Sequence, residues 1–180
     1  MEPIFVWWIG ERPQEEAVMA HVRQHLAQAF QRPALPWDSP ARPQGTLDPR
    51  RHQHASGAVL RWLLEAGPPG GKVLGVTDLD LFIPILTYVF GEAQLGGTAA
   101  VCSTARLGEG VEVAGPRLLV ERLAKEAVHE VGHAFGLHHC DTPACVMGRS
   151  AGLRGVDEKS HLLCKVCRLR LLQPPARRLP

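Results

Sequence analysis

Residues 116–140 read Pro116-Arg117-Leu118-Leu119-Val120-Glu121-Arg122-Leu123-Ala124-Lys125-Glu126-Ala127-Val128-His129-Glu130-Val131-Gly132-His133-Ala134-Phe135-Gly136-Leu137-His138-His139-Cys140. Pro116 suits a first helical turn, where its missing N–H would have had no partner anyway. Leu119, Val120, Leu123, Ala124, Ala127, Val128, Val131 and Ala134 then recur at helical spacing as a broad apolar face. This predicts a helix over about 116–136, ended by Gly136, which alone among residue types takes a left-handed conformation freely. A helix with so wide an apolar face must pack on another layer.

That layer is legible upstream. Ile4 to Ile9 reads as a buried strand, and Glu15 to Phe30 carries Ala17, Val18, Val22, Leu26 and Phe30 at mostly helical spacing. Arg32 to Pro49 holds Pro33, Pro36, Pro40, Pro43 and Pro49, which predicts an irregular surface connection. Arg51 to Ala66 reads as a second helix with Ala58, Leu60, Leu63 and Leu64 on one side, broken by Gly67-Pro68-Pro69-Gly70-Gly71, and Val73 to Phe82 as a strand. Strand, helix, strand in this order favours parallel pairing through a right-handed crossover, hence an α/β layer. Val89 to Cys102 looks like two short strands around the turn Gly96-Gly97, one of them a candidate sheet edge. Asp157 to Leu172 reads as a final helix stopping before Pro174-Pro175.

Composition narrows the function. With 45% hydrophobic and 21% charged residues in 180, the chain is an ordinary globular domain that needs no metal to rescue a small core. Net charge is +2, and the cations are scattered apart from Arg168, Arg170, Arg177 and Arg178, so no nucleic-acid face is expected. No apolar run approaches the ~20 residues of a membrane span, and Ile4 to Ile9 is too short for a secretion signal. The expected compartment is the cytoplasm, and the expected form a monomer.

On the predicted helix His129 and His133 are four residues apart, so both imidazoles project from one face toward a single ion. After the turn at Gly136, His139 is placed to return as a third ligand, leaving the fourth zinc position for water. Glu130 lies on the same rim, able to reach that water without being a ligand, and so is placed as general base. His138 is one residue off the ligand position and is expected to be a neighbour. With 9 His and 18 Gly in 180 residues, meeting all five identities of HExxHxxGxxH somewhere by chance has a probability of ~10⁻⁴, which weighs against coincidence.

Cys140 and Cys145 enclose four residues and Cys164 and Cys167 enclose two, the spacing of a structural four-cysteine zinc site, in preference to disulfides or unrelated thiols. A tetrathiolate keeps no open position, so its role is to fix the C-terminal segment. Cys102 stands apart in an apolar run and reads as a buried thiol. Met147, inside the cysteine loop, is a candidate apolar floor beneath the histidines.

Together His129-Glu130-Val131-Gly132-His133, Gly136, His139-Cys140, Cys145, Met147 and Cys164-Lys165-Val166-Cys167 resemble the archaemetzincin family, a branch of the metzincin zinc proteases. Gly75-Val76-Thr77-Asp78-Leu79-Asp80-Leu81-Phe82 and Phe90-Gly91-Glu92-Ala93-Gln94-Leu95-Gly96-Gly97 also resemble family segments. One departure is the 16 residues between Met147 and Cys164, where the family pattern has one more. The resemblance implies one metzincin-like catalytic domain over 1–180. Its upper subdomain, 1–136, would hold a twisted mixed sheet with an antiparallel edge strand bordering the cleft, together with the active-site helix. Its lower subdomain, 137–180, would carry His139, the Met-turn at Met147 and the cysteine site. Some metzincins place a Tyr after the Met-turn, whereas the single Tyr here is Tyr88, which leaves more of the oxyanion task to zinc.

The expectation is therefore a peptide hydrolase with two zinc ions, one catalytic on His129, His133 and His139, and one structural on Cys140, Cys145, Cys164 and Cys167. A peptide-binding module or latent protease with the same ligands and no turnover is the alternative.

Overall fold

The structure, a computed structural model, describes residues 2–12 and 15–172. The expected stop at Pro174-Pro175 and the basic residues Arg177 and Arg178 lie outside the described residues.

The main sheet uses strands β1 (Ile4–Trp8), β2 (Ala34–Trp37), β5 (Lys72–Thr77), β7 (Gly91–Ala93) and β8 (Ala99–Ser103), in the order β2-β1-β5-β8-β7. All neighbours are parallel except β7 and β8, which run antiparallel and leave β7 at the edge. Helix α1 (Glu16–Phe30) follows β1, and α4 (Arg117–Ala134) follows a single turn, α3 (Val111–Ala114). Both α1 and α4 cover one face of the sheet, where Val22, Leu26, Leu123, Ala127 and Val131 pack on Ile4, Val6, Leu74 and Cys102. Helix α2 (Ser56–Ala66) covers the other face, with Val59, Leu60 and Leu63 against Trp7, Ile9, Val73 and Val101. The central strands are apolar on both sides because they are sandwiched, as buried parallel strands are. Cys102 is fully buried there, as expected of a thiol in an apolar run.

A small sheet of β3 (Leu47–Asp48), β4 (Gln53–Ala55) and β6 (Leu81–Phe82) lies apart. The structure therefore departs from the sequence reading at four places. The stretch 32–49 contains an edge strand despite its prolines: Pro36 sits opposite Val6 on the outermost strand, a place where a missing N–H breaks no ladder. The second helix starts at Ser56 rather than Arg51, since Gln53 pairs with Asp48 and His54 and Ala55 pair with Leu81 and Phe82. The reading Val73 to Phe82 divides into β5 and β6, which serve different sheets. The final helix is two helices, α5 (Leu153–Glu158) and α6 (Lys165–Leu171). The chain is extended at Lys159 and again at Cys164, whose sulfur caps α6 by accepting from the Cys167 N–H.

Candidate active site and thiolate cage

Helix α4 delivers His129, Glu130 and His133 at its C-terminal end. Gly136, at φ 89°, then reverses the chain, and its N–H donates to the His133 carbonyl at 2.8 Å while Leu137 N–H donates to Gly132 at 2.9 Å. A side chain at Gly136 would oppose this left-handed turn. The reversal also sets the Leu137 carbonyl under His133, whose Nδ1 donates to it at 2.6 Å. His129 Nδ1 donates to the Val146 carbonyl at 2.8 Å.

Those two bonds decide the tautomers. A carbonyl only accepts, so both Nδ1 atoms carry the proton and both Nε2 atoms present a bare lone pair. The two Nε2 atoms face each other 3.1 Å apart, where neither has a hydrogen to share. An ion accepting both resolves the opposition, and two ligands at ~2.0–2.1 Å from one tetrahedral ion stand about 3.3 Å apart. The His139 ring completes the group, 5.4 Å from His129 and 4.8 Å from His133 between centroids, and one ligand nitrogen from each ring lies within 4.8 Å of the others. Burial lowers the proton affinity of all three rings, most for His129, keeping them neutral as metal ligation requires. His138, exposed, stays outside the group.

Glu130 is 6% exposed. Burial pushes its carboxyl well above the usual carboxylate range, Glu126 and Glu92 push further, and Lys159 opposes them. Met147 is wholly buried against helix α4, where a side chain at Gly132 would run into its sulfur. A cleft of about 470 Å³ is lined by Tyr88 to Gly91 on the approach to β7, by Arg149 to Ala151, and by His129, Glu130 and His139. A neighbouring cavity of about 530 Å³ shares Tyr88 but holds Arg106 and Arg122 and no histidine, so the chemistry belongs to the first.

Cys140, Cys145, Cys164 and Cys167 also converge, each sulfur within 4.8 Å of the rest. Cys140 to Cys164 and Cys145 to Cys167 are each 3.8 Å apart. Disulfide sulfurs would stand at ~2.05 Å, whereas ligands ~2.3 Å from one tetrahedral zinc stand about 3.8 Å apart. Backbone N–H groups of Thr142, Cys164 and Cys167 point at Cys140, Cys145 and Cys164 sulfurs, as suits thiolates. Burial raises the Cys164 thiol, but the Cys167 N–H and the surrounding donors outweigh it and lower it to about 6. Cys140 N–H also donates to the Met147 carbonyl at 3.0 Å, closing the loop that carries Val146 and Met147.

Sequence reading missed Lys159 and Glu126, a buried ion pair beside these groups, and the two carbonyls that orient the rings. Glu126 was findable, one turn before Glu130 on the same helix face. Lys159 and the carbonyls carry no sequence signal, because their roles arise only when α5 ends and the cysteine loop closes.

Comparison with known proteins agrees with this geometry. Residues 69–173 match Peptidase family M54. An archaemetzincin of Methanopyrus kandleri is 34% identical over 167 residues, covering 93% of this chain and 93% of its own. The crystal structure of archaemetzincin from that organism superposes with a TM-score of 0.81 at 31% identity, over 95% of this chain and 93% of the other. A zinc-dependent peptidase from Methanocorpusculum labreanum gives 0.79 at 30% identity, over 93% and 99%. A twisted mixed sheet, an antiparallel edge strand and a histidine-bearing helix in this arrangement define a zinc metallopeptidase. The chain belongs to peptidase family M54, the archaemetzincins.

Proposed function

We propose that His129, His133 and His139 hold a catalytic zinc and that Glu130 is the general base of peptide-bond hydrolysis. The observation that carries this is the pair of opposed Nε2 lone pairs at 3.1 Å, with a buried carboxylate on the adjoining residue. A zinc held there supplies a bound water of pKa ~7 and polarises the substrate carbonyl. Val146 and Leu137 hold the two helix imidazoles in the ligating tautomer. Glu130, made more basic by its dry surroundings, takes the proton from the attacking water and passes it to the departing amine. The outer edge of β7, unpaired among the described residues, offers Gly91 to Ala93 as a strand along which an extended peptide lies.

Cys140, Cys145, Cys164 and Cys167 are assigned a second, structural zinc, which makes two per chain. On this reading the single catalytic domain divides at Gly136, with Met147 as the Met-turn floor in the 137–180 part. Thiols kept as a cage suit a reducing compartment, so the cytoplasm is inferred, and a monomer suffices because one chain supplies every group named. The test is incubation of purified protein with a diverse peptide mixture, with and without a chelator. Chelator-sensitive cleavage supports the reading, and zinc retention without any cleavage would leave a peptide-binding or latent protein in its place.

A further inference from the structure

A third cluster of ligating groups lies away from the two sites above. His21 and His25 are one helical turn apart on α1, Glu121 faces them from α4, and His161 comes from the connection between α5 and α6. His21, His25 and Glu121 each place a ligand atom within 4.8 Å of the others. The His161 and His25 rings meet at a tilt of 53° with centroids 4.3 Å apart, and His21 meets His25 edge-on at 4.5 Å.

The polar atoms are arranged around a gap. His21 Nε2 lies 3.8 Å from one Glu121 oxygen and His161 Nδ1 lies 3.9 Å from the other. Both nitrogens are shut off from solvent and neither makes a hydrogen bond among the described residues. A direct N–H···O bond spans no more than ~3.2 Å, whereas an ion with nitrogen and oxygen ligands at ~2.0–2.2 Å fits between them. Buried polar atoms left without partners ask for such an explanation. Arg117 Nε lies 3.6 Å from the Glu121 oxygen that faces His21, but the arginine side chain is 89% exposed and its hold on the carboxylate is screened by solvent.

We propose that His21, His25 and Glu121, with His161 closing the group, form a third metal site that takes a divalent transition ion of the zinc type. Imidazole with one carboxylate favours zinc, nickel or copper over magnesium or calcium. The ion would tie α1 to α4 two turns before His129, and both to the chain three residues before Cys164. The inference does not depend on the chemistry assigned to His129 or to the cage.

The test is titration of the full-length protein, already loaded with its tightly held zinc, with further Zn2+, followed by imidazole nitrogen resonances and thermal melting. One additional equivalent should bind, shift the His21, His25 and His161 lines while sparing His52 and His138, and raise the melting temperature. Glu121→Gln, nearly isosteric, and His25→Ala should each weaken this equivalent by at least about tenfold while the tightly held zinc and peptide cleavage without added metal persist. If His25→Ala fails to fold, Glu121→Gln and the parent's resonances still decide. Unmoved His21, His25 and His161 lines at excess zinc, or an extra equivalent bound equally well by the folded variants, would overturn the proposal.

Discussion

Lys159 Nζ lies 2.8 Å from Glu126 Oε1, with the two side chains only 4% and 3% exposed. Glu126 sits one turn before Glu130 on α4, Lys159 follows the end of α5, and its ammonium also reaches the Gly148 carbonyl at 3.4 Å, next to Met147. It thus joins the helix of the candidate site to the loop beneath it. The contact is an ion pair off the hydrogen-bond axis, since the Glu126 oxygen has no aligned donor.

Lys159→Met should therefore be costly. Removing one partner strands a carboxylate in a dry interior, which typically costs about 3–5 kcal/mol. Adding Glu126→Met should recover much of that loss, because two apolar groups leave no buried charge. Urea unfolding of the zinc-loaded proteins measures both. A single variant as stable as the parent would show that water reaches the pair.

Glu130→Gln would remove the proton acceptor proposed above and leave the three imidazoles in place. Zinc content should be unchanged and cleavage should fall by about 10²–10⁴-fold. Metal analysis and peptide turnover on one preparation check this, and parental turnover would remove Glu130 from the mechanism.

The stability of the C-terminal part should fall in acid through Asp157. Arg122 donates to it from Nε at 2.7 Å and from NH2 at 2.8 Å, and this fork holds its carboxyl below the usual range. A depressed folded pKa stabilises above the unfolded value of ~3.9 and loses that contribution as pH drops toward the folded one. Asp157→Asn should flatten the acid limb of the stability curve below about pH 5. The effect is modest because the carboxylate is partly exposed. An unchanged limb would place the acid sensitivity elsewhere, for example at Asp78, where burial is outweighed by Arg12 and by the Glu11 and Arg12 N–H groups.

How much of this was legible depended on distance along the chain. The helix of residues 116–136 and the turn at Gly136 were readable because a repeating apolar face and a glycine are local signals. The convergence of His129 with His139, and of Cys140 with Cys167, could be expected from ligand chemistry alone. Strand β2 was not readable, since its pairing with β1 overrides proline-rich composition that looks like a loop. The break between α5 and α6 was hidden for a similar reason: the helical periodicity of Asp157 to Leu172 is local, while the turn inserted into it is set by Val146 and Ala144, which bond to Leu162 and Ser160 across the chain.

Zinc should be lost in two stages. The imidazole set would keep an exchangeable position and His139 is exposed, whereas two of the four thiols are buried and three receive N–H donors. A mild chelator should abolish cleavage while one equivalent of metal and the fold remain. Loss of both equivalents together with the fold would contradict the separation.

The cage should nevertheless support the catalytic zinc, and the route is a short chain of named bonds. Cys140 N–H holds the Met147 carbonyl at 3.0 Å, Val146 N–H is held by the Leu162 carbonyl at 3.1 Å, and the Val146 carbonyl fixes the His129 tautomer at 2.8 Å. Cys164 and Cys167 anchor the far side of that loop, remote in sequence from the histidines. Cys164→Ser separates two roles, because serine also caps helices well and should preserve the start of α6 while removing a thiolate. It should lower the melting temperature and weaken the catalytic zinc by about 10–100-fold, the usual loss when groups that orient a ligand are disturbed. Calorimetric zinc binding and peptide cleavage are read together. Should a Cys164→Ser protein that lacks the second metal bind catalytic zinc with parental affinity, the cage only pins α6, and the bonds through Val146 hold His129 without it.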